Sequence, residues 1–203
     1  LYVLPFIILW FLLSIYIDSA IIFQSWKEKW RYYKESWRYA FKKYPSVLIA
    51  TIITNVIIYV AYMIPYLGSV IGIILTLFFI FVIPSIIVLD NDFYGGIENS
   101  VSMVKNNFVH VFVMAIVLVI ASFILLAGFI IMALILLLIS SIAFTGTLNI
   151  IYPLLIGNMT PFLIAIIVFL VGVSIVRVFN NNVIANFYIS LKRLEKKNKR
   201  KPR

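Results

Sequence analysis

A chain of 203 residues that is 64% hydrophobic and 12% charged, with a mean hydropathy of +1.12, lies outside the range of soluble globular domains, which are about half apolar and about a quarter charged. The lack of cysteine excludes disulfides, thiolate metal sites and cysteine nucleophiles, and the single histidine excludes a multi-histidine centre. A formal net charge of +10 leaves two classes of partner, nucleic acid and anionic membrane, and the position of the charges decides between them. The length accommodates about five to seven spans of roughly 20 residues. The fold class expected is all-α: a polytopic transmembrane helix bundle of five to six spans with one or two interfacial elbow helices, in a single membrane domain over residues 1–203.

The first apolar run covers residues 1–23 and begins at Leu1, as in a chain cut or processed ahead of its first span. Its basic residues follow it instead of preceding it, unlike those of a signal peptide. Next comes SWKEKWRYYKESWRYAFKKY, residues 25–44. Trp26, Trp30, Tyr33, Trp37, Phe41 and Tyr44 recur at steps of three and four, and Lys27, Arg31, Lys34, Arg38 and Lys42 repeat those steps one residue later. On a helix these are adjoining aromatic and basic stripes. A nucleic-acid face combines the same residue types, but apolar runs tether this segment on both sides. Trp and Tyr favour the headgroup level and Lys and Arg favour anionic heads, so residues 26–44 read as an interfacial helix on the cytoplasmic side. The other arrangement is an extension of a span packed on its neighbours.

Residues 47–64 and 70–89 form a hairpin of two spans around Pro65-Tyr-Leu-Gly68. The spacing Gly68-Ser-Val-Ile-Gly72 allows close helix approach, with Gly68 also serving the turn. Asp90, Asn91, Asp92, Gly95 and Gly96 then break the chain before a second interfacial helix over 91–107, capped by Asp92 or Asn91. Its expected apolar face is Phe93, Ile97, Val101, Val104 and Phe108. Glu98 and Lys105 match Glu35 and Lys42 at a constant offset, which suggests an internal repeat. His110 falls at the interface just beyond.

The run 109–156 is too long for one span and short for three. Lys and Arg cluster in the first elbow and in the tail 192–203, and the positive-inside bias makes both cytoplasmic. An odd number of crossings must therefore lie between them. One crossing over 109 to about 130 is expected, followed by an outer or partly inserted segment through Gly146 and Asn149 to Gly157-Asn-Met-Thr-Pro161. Two full spans form the competing arrangement. The last span covers 162 to about 191.

Ionisable groups inside spans are costly and therefore mark candidate sites. Asp18 and Arg177 are expected to neutralise each other in the bundle, with Thr54, Asn55, Asn180 and Asn181 nearby, as a polar cavity. The plainer arrangement has the last helix leaving the bilayer near Arg177. No Gly-rich phosphate loop, H-E-x-x-H, G-x-S-x-G or clustered carboxylates occur. No catalytic residue, metal ligand or cofactor is therefore expected, and Ser100 and Ser102 have no basic partner in the sequence.

The succession of elbow helix, hairpin ending in the proline-bearing Phe81-Val-Ile-Pro-Ser-Ile-Ile-Val-Leu-Asp90, Glu98 to Asn107 opening another span, and a final helix ending Asn186-Phe-Tyr-Ile-Ser-Leu-Lys192 resembles a loose group of prokaryotic polytopic membrane proteins. That group includes the membrane domain ahead of the catalytic domain of some glycerophosphodiester phosphodiesterases. The resemblance covers most of residues 26–192 and implies a helical bundle in a prokaryotic plasma membrane. It transfers no catalytic residue, because the enzymatic domain is absent from this chain. The leading functional expectation is a non-enzymatic interaction or scaffold subunit that engages anionic lipid and a protein partner or second copy. The alternative is a small transporter or lipid-handling protein using the Asp18 and Arg177 cavity.

Overall fold

The computed structural model describes residues 4–27, 33–145 and 160–199, and every regular element among the described residues is a helix. In chain order these are α1 (Leu4–Lys27), α2 (Tyr33–Tyr62), α3 (Gly68–Phe79), α4 (Val82–Leu89), α5 (Phe93–Asn106), α6 (Phe108–Thr145) and α7 (Thr160–Lys199). Five stretches are long and apolar enough to cross a bilayer: α1, α2, α3 with α4 as Gly68–Leu89, and the greater parts of α6 and α7. The protein is an all-α polytopic membrane protein. Its contacts fall into two compact units, Leu1–Ala115 with Asn181–Arg203, and Ile116–Asn180.

In the first unit α1 packs against α2. The Tyr16 ring sits 5.2 Å from Trp37 and 6.0 Å from Tyr44, and Phe23 stacks on Tyr39 at 4.5 Å. Residues 26–44 are consequently shared between two helices: Trp26 and Lys27 end α1, 33–44 begin α2, and Trp30 and Arg31 lie outside the described residues. The segment 33–44 is the extension of a span, packed on its neighbour. Half of its aromatic stripe, Trp37 and Tyr44, turns onto α1, while Tyr33 and Phe41 stay exposed. Lys34, Arg38 and Lys42 are exposed as expected, and α2 continues unbroken through Pro45.

The α2–α3 hairpin forms where the turn sequence puts it. A Cβ on Gly68 would fall 2.6 Å from the Tyr62 carbonyl oxygen and 2.8 Å from that of Ala61. Backbone cannot yield at such distances, so only glycine fits. Gly72 admits the Tyr62 ring in the same way, as the small-residue spacing implies.

Asp90 takes a left-handed conformation (φ 60°) and ends α4. Asp92 then caps α5, its Oδ1 accepting from the Gly95 N–H at 2.8 Å. The buried face of α5 is Gly96, Ser100, Met103 and Val104; of the expected apolar row, Val104 is buried and Ile97 packs against the core, while Phe93 and Phe108 at its two ends are exposed. Two contacts turn the helix: Gly96 lets Ile86 pack against its backbone, and Ser100 is drawn inward by hydrogen bonds described below. Phe81 and Tyr188, both fully buried, meet ring to ring at 5.4 Å, so residues of α7 from 181 onward close this unit.

In the second unit α6 and α7 are antiparallel. Phe129 seats against Gly172, and Ser122 donates to Asn180 Oδ1 at 2.9 Å. Helix α6 does not stop near Ile130: it runs 38 residues to Thr145, about 57 Å at 1.5 Å per residue. Residues 131–145 contain neither proline nor charge, so nothing there ends a helix. The remainder of the expected inserted segment, 146–159, lies outside the described residues.

Candidate functional site: a pocket beside a broken span

The span Gly68–Leu89 is not one helix. It parts at Ile80 and Phe81, and the cause lies at Pro84. Proline has no N–H and its ring presses on the carbonyl four residues back, which here is Ile80. In water a freed carbonyl is hydrated, whereas in hydrocarbon it must find a partner or line a cavity. Ser100 of α5 repairs most of the damage. Its hydroxyl donates to the Phe78 carbonyl at 2.7 Å and accepts from the Phe81 N–H at 3.1 Å. The Ser85 N–H reaches the Phe81 carbonyl at 2.8 Å, and the Ile80 N–H reaches Leu77 at 3.3 Å. Among the described residues no donor reaches the Ile80 carbonyl.

Ile80 lines a pocket of about 200 Å³ whose walls also carry Thr51, Thr54, Asn55, Thr76 and Asn181, among apolar residues such as Ile22, Ile58 and Ile184. The Thr54 hydroxyl donates to the Ala50 carbonyl at 2.9 Å, and that of Thr76 to Gly72 at 2.8 Å. The Thr51 hydroxyl is buried with no hydrogen-bond partner among the described residues. Asn181 donates through Nδ2 to Asp18 Oδ1 at 2.7 Å, joining α7 to α1.

Thr54 follows Lys43 by eleven residues and Ile80 precedes Asp90 by ten. At 1.5 Å per residue both lie about 15 to 17 Å below their charged ends, close to the middle of a hydrocarbon core of about 30 Å, and Asn181 joins them in the pocket wall. The two charged ends meet. Lys43 and Asp90 pair directly at 2.7 Å.

That charged end carries its own clasp. The Lys43 ammonium also donates to the carbonyls of Asp90 and Asn91, at 2.8 and 3.1 Å, and the Tyr39 hydroxyl donates to Asp90 Oδ1 at 2.8 Å. The Lys43 hydrogen bond, seconded by that from Tyr39, holds the Asp90 carboxyl below the usual carboxylate range.

Of the six intramembrane residues singled out in the sequence, Thr54, Asn55 and Asn181 line this pocket and Asp18 adjoins it through Asn181. Asn180 is bound to Ser122 in the second unit, where Arg177 is half-buried. Thr51, Thr76 and Ile80 were not anticipated. Thr51 carries a signal in hindsight, one turn before Thr54 on the same face, and so does Pro84, four residues after Ile80. No protein-family model, curated protein or solved structure matches the chain.

Proposed function

We propose that the protein binds a small solute or a lipid headgroup in this mid-bilayer pocket, as a transporter or lipid-handling protein would. One observation carries the reading: a span broken at mid-depth puts Ile80, whose carbonyl no donor reaches among the described residues, in one pocket wall with threonine and asparagine residues of neighbouring helices. Broken helices with unwound carbonyls are a recurrent way of building substrate and ion sites in membranes, and polar groups at that depth are costly without such a role. In this reading the basic end faces the cytoplasm of a prokaryotic cell and holds anionic lipid through Lys34, Arg38 and Lys42. No catalytic chemistry is assigned.

The interaction-subunit reading draws on the same exposed basic face, where Lys196 and Lys197 also lie exposed. Native mass spectrometry of the protein extracted with its surrounding lipid separates the two. The pocket reading predicts one retained small molecule or lipid, lost in Asn55→Leu and Asn181→Leu variants. Stoichiometric protein companions with an empty pocket would favour the subunit reading instead.

A further inference from the structure

We infer that the pocket selects its ligand by hydrogen-bond donors, taking a small neutral or cationic molecule with hydroxyl or ammonium groups and rejecting anions; this rests on the pocket being a binding site. The hydroxyl protons of Thr54 and Thr76 are committed to the carbonyls of Ala50 and Gly72, so each offers the pocket only lone pairs. The Ile80 carbonyl is an acceptor by nature. Asn181 has its amide nitrogen turned to Asp18, an orientation set by the accepting oxygen of Asp18, which leaves Asn181 Oδ1 as a further acceptor. Thr51 and Asn55 can act either way. None of these lining residues is basic, and a phosphate or carboxylate would confront lone pairs in a medium of low dielectric. The volume, about 200 Å³, is below the roughly 300 to 1,000 Å³ of drug-sized sites. It suits a small amine or diol, or the headgroup of a lipid that carries one.

The test is thermal unfolding of the full chain in phosphatidylcholine nanodiscs, with ethanolamine, ethylene glycol, acetate or phosphate added in turn. A parallel arm uses discs containing phosphatidylethanolamine, whose ammonium has N–H donors that the choline headgroup lacks. Ethanolamine or ethylene glycol should raise Tm by about 2 to 4 °C at saturation. The half-saturating concentration should rise roughly tenfold in Thr54→Val with Thr76→Val, which keep the shape and remove two acceptors; each single variant should show part of that loss. A rise in phosphatidylethanolamine discs without added solute, lost in the same variants, supports the inference and names a headgroup as the source. A rise with acetate or phosphate alone, sensitive to the same variants, overturns donor selection and leaves the pocket reading standing. No rise with any probe or lipid, in wild type and variants alike, overturns both.

Discussion

Pro45 and Pro84 both sit inside apolar helices, yet α2 runs on through the first while the third span parts before the second. Each removes one N–H and strands the carbonyl four residues back. For Pro45 that carbonyl belongs to Phe41, an exposed residue among Arg38, Lys42 and Lys43 at the charged end, where water serves it. For Pro84 it belongs to Ile80, about 15 Å deeper at 1.5 Å per residue. The same chemistry is silent at the helix end and parts the span at mid-depth. Depth makes the difference, together with Ser100, which bridges the break through the Phe78 carbonyl and the Phe81 N–H.

The largest expected effect is at Ser100. Ser100→Ala strands the part-buried Phe78 carbonyl and the buried Phe81 N–H together, and at roughly 1 to 3 kcal/mol for each unsatisfied group the loss should be about 3 kcal/mol. Unfolding by denaturing detergent would measure it, and a loss within about 0.5 kcal/mol would mean that the break does not depend on this bridge. Replacing the two prolines sharpens the contrast. Pro45→Ala, inside a continuous helix, should stabilise by about 2 kcal/mol and leave ligand binding unchanged. Pro84→Ala lies in the first turn of α4, where N–H groups lack helical partners in any case, so stability should change by less than about 1 kcal/mol. Its N–H can now engage the Ile80 carbonyl, and binding measured by the thermal shifts above should weaken roughly tenfold.

The smallest effect is expected at the clasp. Lys43→Met removes an ion pair whose carboxyl partner is exposed, worth about 0 to 1 kcal/mol. Because the folded-state pKa of Asp90 is depressed, its contribution is complete above the ordinary carboxylate range. It is lost as pH falls through the depressed value. Unfolding curves of wild type and Lys43→Met should therefore differ at neutral pH and converge in strong acid.

The elements that local chemistry governs were legible in the sequence. The tight hairpin follows from Pro65 and Gly68, and the start of α5 from Asp92. The depth of Thr54, Asn55 and Asn181 follows from counting along helices, and their meeting beside Asp18 was expected from the cost of polar groups in hydrocarbon. What escaped depends on contacts distant in sequence. Hydropathy is blind to the break at Ile80, because both sides of it are apolar. Ser100 acquires its role only from Phe78 and Phe81, about twenty residues away. The continuity of 33–44 with α2 likewise reflects Trp37, Tyr39 and Tyr44 packing on α1, where periodicity alone allowed a lipid-facing stripe.

The central claim is that polar groups at mid-depth face a wet pocket and not lipid. The chain has no cysteine of its own, so single substitutions report without background. Thr54→Cys and Asn55→Cys line the pocket, while Ile52→Cys and Val56→Cys occupy exposed positions outside it on the same helix. Thiolates form only where water reaches. With a small water-soluble methanethiosulfonate reagent in lipid vesicles, positions 54 and 55 should react at least roughly tenfold faster than 52 and 56. Equal rates at all four positions would contradict the account.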